Sequence, residues 1–276
     1  TLAMDSQVPP AVEVLADFKN WSEPERISYT DSPYDFHMYT NGVQPYFRAP
    51  QLYVAFPARY TERKEWTANY DALCGAEHRK WRMQFHPRYG LAVTDGLFMT
   101  SRDGKSFRRW NEAFLRPGPE SPKRWVYGDG YAAYGLIATP TGVEGEDDEL
   151  SFYATSNDWS DTQVQLFRYT LRLDGSVSRS APYAGGEVVT QPLCFAGDAL
   201  HINFATSAAG SLRVVIEDEA GSTLPDFDSG ELFGDAADRA VHFDGDLAAI
   251  AGQPVRLRFI LRDADLYAFQ FCTEGK

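Results

Sequence analysis

The chain has 276 residues, 43% hydrophobic and 24% charged, which excludes a disordered polymer and leaves enough apolar surface for one or two domains. Its 26 basic and 39 acidic residues give a net charge of −13, which excludes a nucleic-acid partner held through its phosphates unless a basic face is hidden. No apolar run approaches the roughly 20 residues of a membrane span, so no membrane partner is expected. The short basic clusters, Arg79-Lys80-Trp81-Arg82 and Arg108-Arg109, read as solvated surface. Cys74, Cys194 and Cys272 are odd in number and far apart, so neither a disulfide framework nor a zinc pattern emerges. The histidines are scattered, and no metal site is assigned. The composition leaves the compartment and the oligomeric state open.

Strong helix signals are scarce. After Pro9 and Pro10, Val12 to Leu15 reads as a short strand. Arg48 to Phe56 is an apolar strand bounded by prolines. Thr61 to Arg88 is polar and aromatic with no clear period, and reads as a long loop of the kind that is often functional. Val93 to Trp110 (VTDGLFMTSRDGKSFRRW) reads as two strands joined by the polar turn Ser101-Arg102-Asp103-Gly104, with Phe107 folded beneath it. Ser and Asp accept from nearby backbone N–H groups in such turns, and Gly supplies a positive φ.

Leu15 to Trp21 repeats the Asp-x-Lys-x-aromatic spacing, and Leu173-Asp174-Gly175-Ser176 is a third turn of this kind. Asp17, Asp103 and Asp174 are 86 and 71 residues apart, a spacing that suggests propeller blades. Tyr131 to Thr139 is small and apolar, as expected of an inner strand packed on both faces. Glu149 to Thr155 and Gln163 to Arg172 continue that unit, and the acidic segment from Gly142 to Asp148 reads as a solvated turn. After Tyr183-Ala184-Gly185-Gly186 the pattern changes. Leu212, Val214 and Ile216 alternate with Arg213, Val215 and Glu217. Val255, Leu257, Phe259 and Leu261 alternate with Arg256, Arg258, Ile260 and Arg262, and Asp263 to Asp265 reads as a turn. Alternation of this density argues for an antiparallel sandwich. The expected fold is therefore all-β: propeller blades over residues 1–184 and a β-sandwich over residues 185–276.

SRDGKSF resembles the Asp-box turn of sialidases and other glycoside-hydrolase propellers. Together with Pro45 to Pro50, Arg168 to Arg172, Gly185 to Glu187, Pro254 to Phe259 and Asp263 to Tyr267, it resembles bacterial proteins similar to glycoside hydrolase family 32. The likeness runs from about Asn20 to Phe271. The resemblance implies a five-bladed β-propeller followed by a β-sandwich, with no cofactor. Residues 1 to about 184 hold about two and a half units, whereas closure takes roughly four or more blades. The resemblance thus implies that N-terminal blades, and the family's nucleophilic aspartate with them, lie outside this chain.

Glycosidic bonds are cleaved between two carboxyl groups about 5 to 9.5 Å apart. Propeller sites lie where inner strands begin, which makes Asp129 and Asp95 the candidate catalytic acids. Asp129 is alternatively a turn residue in Gly128-Asp129-Gly130. Arg48, in a Phe-Arg-Ala-Pro stretch resembling a sialidase motif, is a candidate for binding a sugar hydroxyl or carboxylate, or a buried structural arginine. Trp125, Tyr127 and Tyr131, with Tyr134, are candidates for a sugar-stacking platform or for propeller core. Glu187 reads as ordering the linker, and Asp103 as holding its hairpin rather than doing chemistry. The expected partner is a carbohydrate, met by a glycoside hydrolase or, in the alternative, by a non-catalytic carbohydrate-binding or structural propeller. A lectin-like sandwich is a third reading.

Overall fold

A computed structural model describes residues 11–12, 19, 23–30, 37–121, 124–156 and 163–273. The predicted strand at Val12 to Leu15 and the turn at Asp17 fall largely or wholly outside them. Strands account for 52% of the described residues, so the all-β class holds. The chain divides into two compact units, residues 1–137 with 151–169 and residues 138–150 with 170–276.

The first part of the chain forms strands β1 (Ala11–Val12), β2 (Glu25–Arg26), β3 (Ser28–Tyr29), β4 (His37–Tyr39), β5 (Gln44–Tyr46), β6 (Ala49–Ala55) and β7 (Ala58–Glu62). Helices α1 (Ala68–Ala72), α2 (Ala76–Met83) and α3 (Arg88–Leu91) follow, then β8 (Ala92–Ser101), β9 (Ser106–Leu115), β10 (Tyr131–Ala132), β11 (Ile137–Thr139), β12 (Glu149–Ser156) and β13 (Gln165–Arg172). Among the described residues, β8 is central to a seven-stranded sheet: β9 pairs with one edge, β6 and β7 share the other, β5 and β4 pair outside them, and β3 runs parallel to β9. β12 is central to a four-stranded sheet with β10, β11 and β13.

Side-chain alternation gives β8 two working faces. Leu97 and Met99 are fully buried on one face, where Met99 joins Ala55 and Phe107, backed by Ile27 and Tyr29. Phe98 lies on the other. Its ring is 5.2 Å from Phe56, Phe56 stacks on Phe152 at 5.1 Å, and Phe152 stacks on Tyr169 at 5.4 Å. This aromatic file joins the two sheets.

The predicted hairpin forms as expected. Asp103 Oδ1 accepts from the N–H of Lys105 at 2.8 Å and of Ser106 at 2.7 Å. Ser101 Oγ donates to Asp103 Oδ1 at 2.9 Å and accepts from Gly104 N–H at 2.9 Å. Gly104 takes φ +73°, and Phe107 is 1% exposed beneath the turn. These bonds hold the Asp103 carboxyl down at about 2, the two backbone donors contributing most.

Four expectations in this part of the chain are corrected. Thr61 to Arg88 is not one long loop but carries α1 and α2. On α2 the buried positions are Arg79 and Arg82, not apolar residues, so no hydrophobic period marks the helix. For the same reason the basic clusters are not wholly solvated: Arg79, Arg82 and Arg109 are buried, and Arg109 sits 4.0 Å over the Tyr29 ring. Tyr131 to Thr139 is not one buried strand. It breaks between β10 and β11 at Gly135 (φ +119°), leaving Tyr134 72% exposed. Arg48 is exposed in the turn joining β5 to β6, so it is not a buried structural arginine.

The remaining strands are β14 (Arg179–Ala181), β15 (Gly186–Val189), β16 (Ala199–Asp218), β17 (Thr223–Asp228), β18 (Asp235–Val241) and β19 (Val255–Cys272), with helix α4 (Leu247–Ile250) before the last. β16 and β19 are long antiparallel neighbours. The first half of β16 pairs with β18 and the second with β17, while β14 and β15 pair with different halves of β19. The halves meet at an irregularity, where Thr206 faces Ala264 but Ser211 faces Arg262.

Asp263 to Asp265 therefore does not reverse the chain. Asp263 (φ +43°) lies at this irregularity and the strand continues, as bulges allow. Gly210 is required there, since a Cβ would meet Asp263 O at 2.3 Å. Leu200, Ile202 and Phe204 from one half share a core with Leu212, Ile216, Leu257 and Phe259 from the other. Glu187 is no linker residue: it lies in β15 and pairs with Arg258 at 2.8 Å. Val215 and Glu217 are also buried, Glu217 accepting from Arg258 Nε at 2.6 Å.

Candidate functional site

The residues singled out from the sequence are brought together in part. Tyr127 and Tyr131 lie 5.9 Å apart, ring centre to ring centre. β4 adds Tyr39, 5.7 Å from Tyr127 and 6.4 Å from Tyr131, and β7 adds Tyr60, 5.4 Å from Tyr39. The pairing of His37 with Tyr60 and Tyr39 with Ala58 sets Tyr39 and Tyr60 on one face. Each of the four rings is half-buried.

Tyr60 Oη donates to Glu62 Oε2 at 2.7 Å, and Glu62 is exposed. Burial raises the Tyr39 phenol, aided by the neighbouring Tyr127 and opposed by the positive charge of Arg88. Burial also raises the Tyr60 phenol, and its bond to Glu62 adds to the effect. The Tyr39 and Tyr60 phenols thus stay neutral at ordinary pH. The result is an aromatic surface with hydroxyl groups, a carboxylate at its edge and a guanidinium nearby.

The loop carrying Tyr127 is fixed from several sides. Trp125, Gly128 and Gly130 all take positive φ. Asp129 is 2% exposed; its Oδ2 accepts from Val126 N–H at 3.2 Å and its Oδ1 from Ser156 Oγ at 3.2 Å. Thr94 Oγ1 donates to Asp129 O at 2.8 Å and accepts from Gly128 N–H at 2.9 Å. Arg79 donates from below to the carbonyl of Trp125, and the indole of Trp125 donates to Gly118 O at 2.8 Å. Burial lowers the Arg79 guanidinium, with the charges of Tyr70 and Asp129 opposing it. The geometry gives Asp129 the task of ordering this loop and holds Trp125 by its indole.

Asp95 faces the other way. It pairs with Arg59 in register, with Arg59 Nε donating to Oδ1 at 2.9 Å and Arg59 Nη1 to Asn111 O at 2.7 Å. Tyr60 pairs with Thr94, the next residue on each strand, so Tyr60 and Asp95 occupy opposite faces of the sheet. Asp129 covers the Thr94 face, and the two candidate acids are therefore not aimed into one cleft. Arg48 is also remote. Tyr60 is level with Thr94, whereas Arg48 lies beyond Tyr53, which is level with Ser101. Seven residues of strand already span roughly 23 Å.

Sequence reasoning named Tyr127 and Tyr131 and missed Tyr39, Tyr60, Glu62 and Arg88. The aromatic-rich spacing of Tyr60 and Glu62 at the end of an apolar strand was the available signal. Among the described residues, no group of three or more His, Cys, Asp or Glu could hold a metal ion. No helix in the described residues is long and apolar enough to cross a membrane. No protein-family model matches the chain, and no curated protein matches it significantly.

Proposed function

We propose that this is a carbohydrate-active protein that takes a sugar ring against Tyr39, Tyr60, Tyr127 and Tyr131. The observation that carries this reading is the cluster itself: four half-buried rings whose neighbouring centres lie 5.4 to 6.4 Å apart, with Glu62 bonded to one of them. A sugar offers C–H faces to aromatic rings and hydroxyls to phenols and carboxylates, so one apolar and one polar demand are met together. Two features of the fold support the broader reading. The two successive, mainly antiparallel sheets and the Asp-box turn suit blades of a five-bladed type of propeller. The bent pair β16 and β19, with one core between their halves, suits an antiparallel β-sandwich.

Binding is favoured over glycoside hydrolysis by the orientation of the acids. Hydrolysis needs two carboxyl groups flanking one bond, whereas Asp95 turns to the opposite sheet face and Asp129 is tied into its loop. A hydrolase on this surface would use Glu62 as one of its two acids. Isothermal titration with neutral oligosaccharides tests the proposal. Tyr60→Ala and Tyr127→Ala are each expected to weaken binding by about tenfold, the equivalent of 1.4 kcal/mol. Unchanged affinity in both variants rejects the cluster as the site. Release of reducing sugar that Glu62→Gln abolishes would restore the hydrolase reading.

A further inference from the structure

A surface of a different kind lies on the second unit. A cleft of about 620 Å³ opens between the Ala184–Glu187 segment and the outward face of β16 and β19, a size within the range of ligand sites. Glu187 faces Ile260 across β15 and β19, and Ile260 faces Arg213 across β19 and β16. One cross-strand row therefore presents a carboxylate, an apolar side chain and a guanidinium in that order. Ile260 is 39% exposed between the two charged groups. Gly185 and Gly186 bring bare backbone to the same cleft. At its margin, Arg262 lies 5.6 Å over the ring of Tyr183, which is 64% exposed.

The charges here are balanced. Arg213 pairs with Asp228, Arg262 with Glu231 at 3.7 Å, and Glu187 with Arg258 at 2.8 Å. An ionic ligand would have to displace one of these partners, and an anionic polymer would also meet the chain's net charge of −13. A neutral polyol meets neither cost. Exposed guanidinium N–H groups donate to its hydroxyls, carboxylate lone pairs accept from them, and Ile260 and Tyr183 offer apolar area to its C–H faces. We propose that this cleft is a second carbohydrate site, specific for a neutral oligosaccharide. It stands on its own observations and survives if the tyrosine cluster proves not to bind sugar.

The test uses the full chain carrying Tyr60→Ala and Tyr127→Ala, so that the first surface is disabled. Isothermal titration is run with neutral tetrasaccharides of glucose, xylose and fructose, and with a chondroitin sulfate tetrasaccharide. At least one neutral ligand is expected to bind. Tyr183→Ala and Arg262→Ala are each expected to weaken it by about tenfold, and Ser211→Trp, which fills the cleft, is expected to abolish it. Tyr183 and Arg262 are exposed, so neither variant threatens folding. The proposal is overturned if no neutral ligand binds, if the substitutions leave affinity unchanged, or if the sulfated ligand binds more tightly.

Discussion

The two units hold themselves together by different means. The second has a continuous apolar core in which Leu200, Phe204, Leu212, Ile216, Leu257 and Phe259 are fully buried. The first combines an aromatic file with polar devices: the turn bonded to Asp103, the Asp129 loop and arginines buried against carbonyls and rings. A non-directional core tolerates displacement and depends on area and volume. A hydrogen-bonded loop depends on particular atoms, and losing one leaves a partner unsatisfied. The first unit is accordingly where side chains are held in fixed geometry, and Tyr127 of the tyrosine cluster lies on one such loop.

The sharpest way to break the contrast is Phe259→Ala. Removing a fully buried ring should cost about 3–5 kcal/mol, read as a lower urea midpoint by circular dichroism. A loss below about 1 kcal/mol would mean that the shared core is not the main source of stability. Next comes Asp129→Ala, which removes the acceptor of the Val126 N–H and of the Ser156 hydroxyl. It should cost about 1–3 kcal/mol and weaken sugar binding at the tyrosine cluster, while Ser156→Ala alone should cost less. An Asp129→Ala protein of wild-type stability would show that the loop is held without it.

Gly104→Ala places a Cβ at φ +73°, and nothing approaches within 3.4 Å of it, so strain alone should act. The expected loss is about 1 kcal/mol. The smallest effect concerns pH. The Asp103 carboxyl is lowered from 3.8 to about 2 in the folded protein, so its contribution is complete above pH 4 and fades as pH falls toward 2. The stability gap between wild type and Asp103→Asn should therefore narrow across that window. A gap that stays constant would show that the carboxylate charge contributes nothing to the turn.

The same contrast governs what could be read beforehand. The alternation of Val255, Leu257, Phe259 and Leu261 identified a half-buried strand directly, because apolar burial leaves a period of two in the chain. The turn at Asp103 was equally legible, since its bonds join residues two and three apart. The helix at Ala76–Met83 was not. Its buried face consists of Arg79 and Arg82, and a guanidinium such as that of Arg79, bonded to the distant carbonyl of Trp125, looks like a solvated charge in a sequence. The irregularity at Asp263 was misread as a turn for a related reason: what keeps β19 running is its register with β16, about sixty residues earlier in the chain.

Local chemistry thus determined by itself the all-β class, the hairpin turn at Ser101 to Ser106 and the inward residues of β16 and β19, because each depends on neighbours within a few positions. Tertiary structure alone decided the candidate site. Tyr39, Tyr60 and Tyr127 meet only because β4 pairs with β7 and the 125–131 loop packs over Thr94. It also decided that Asp95 and Asp129 do not share a cleft. A one-residue step along a strand turns a side chain to the other face, and only the pairing register says which face meets which partner.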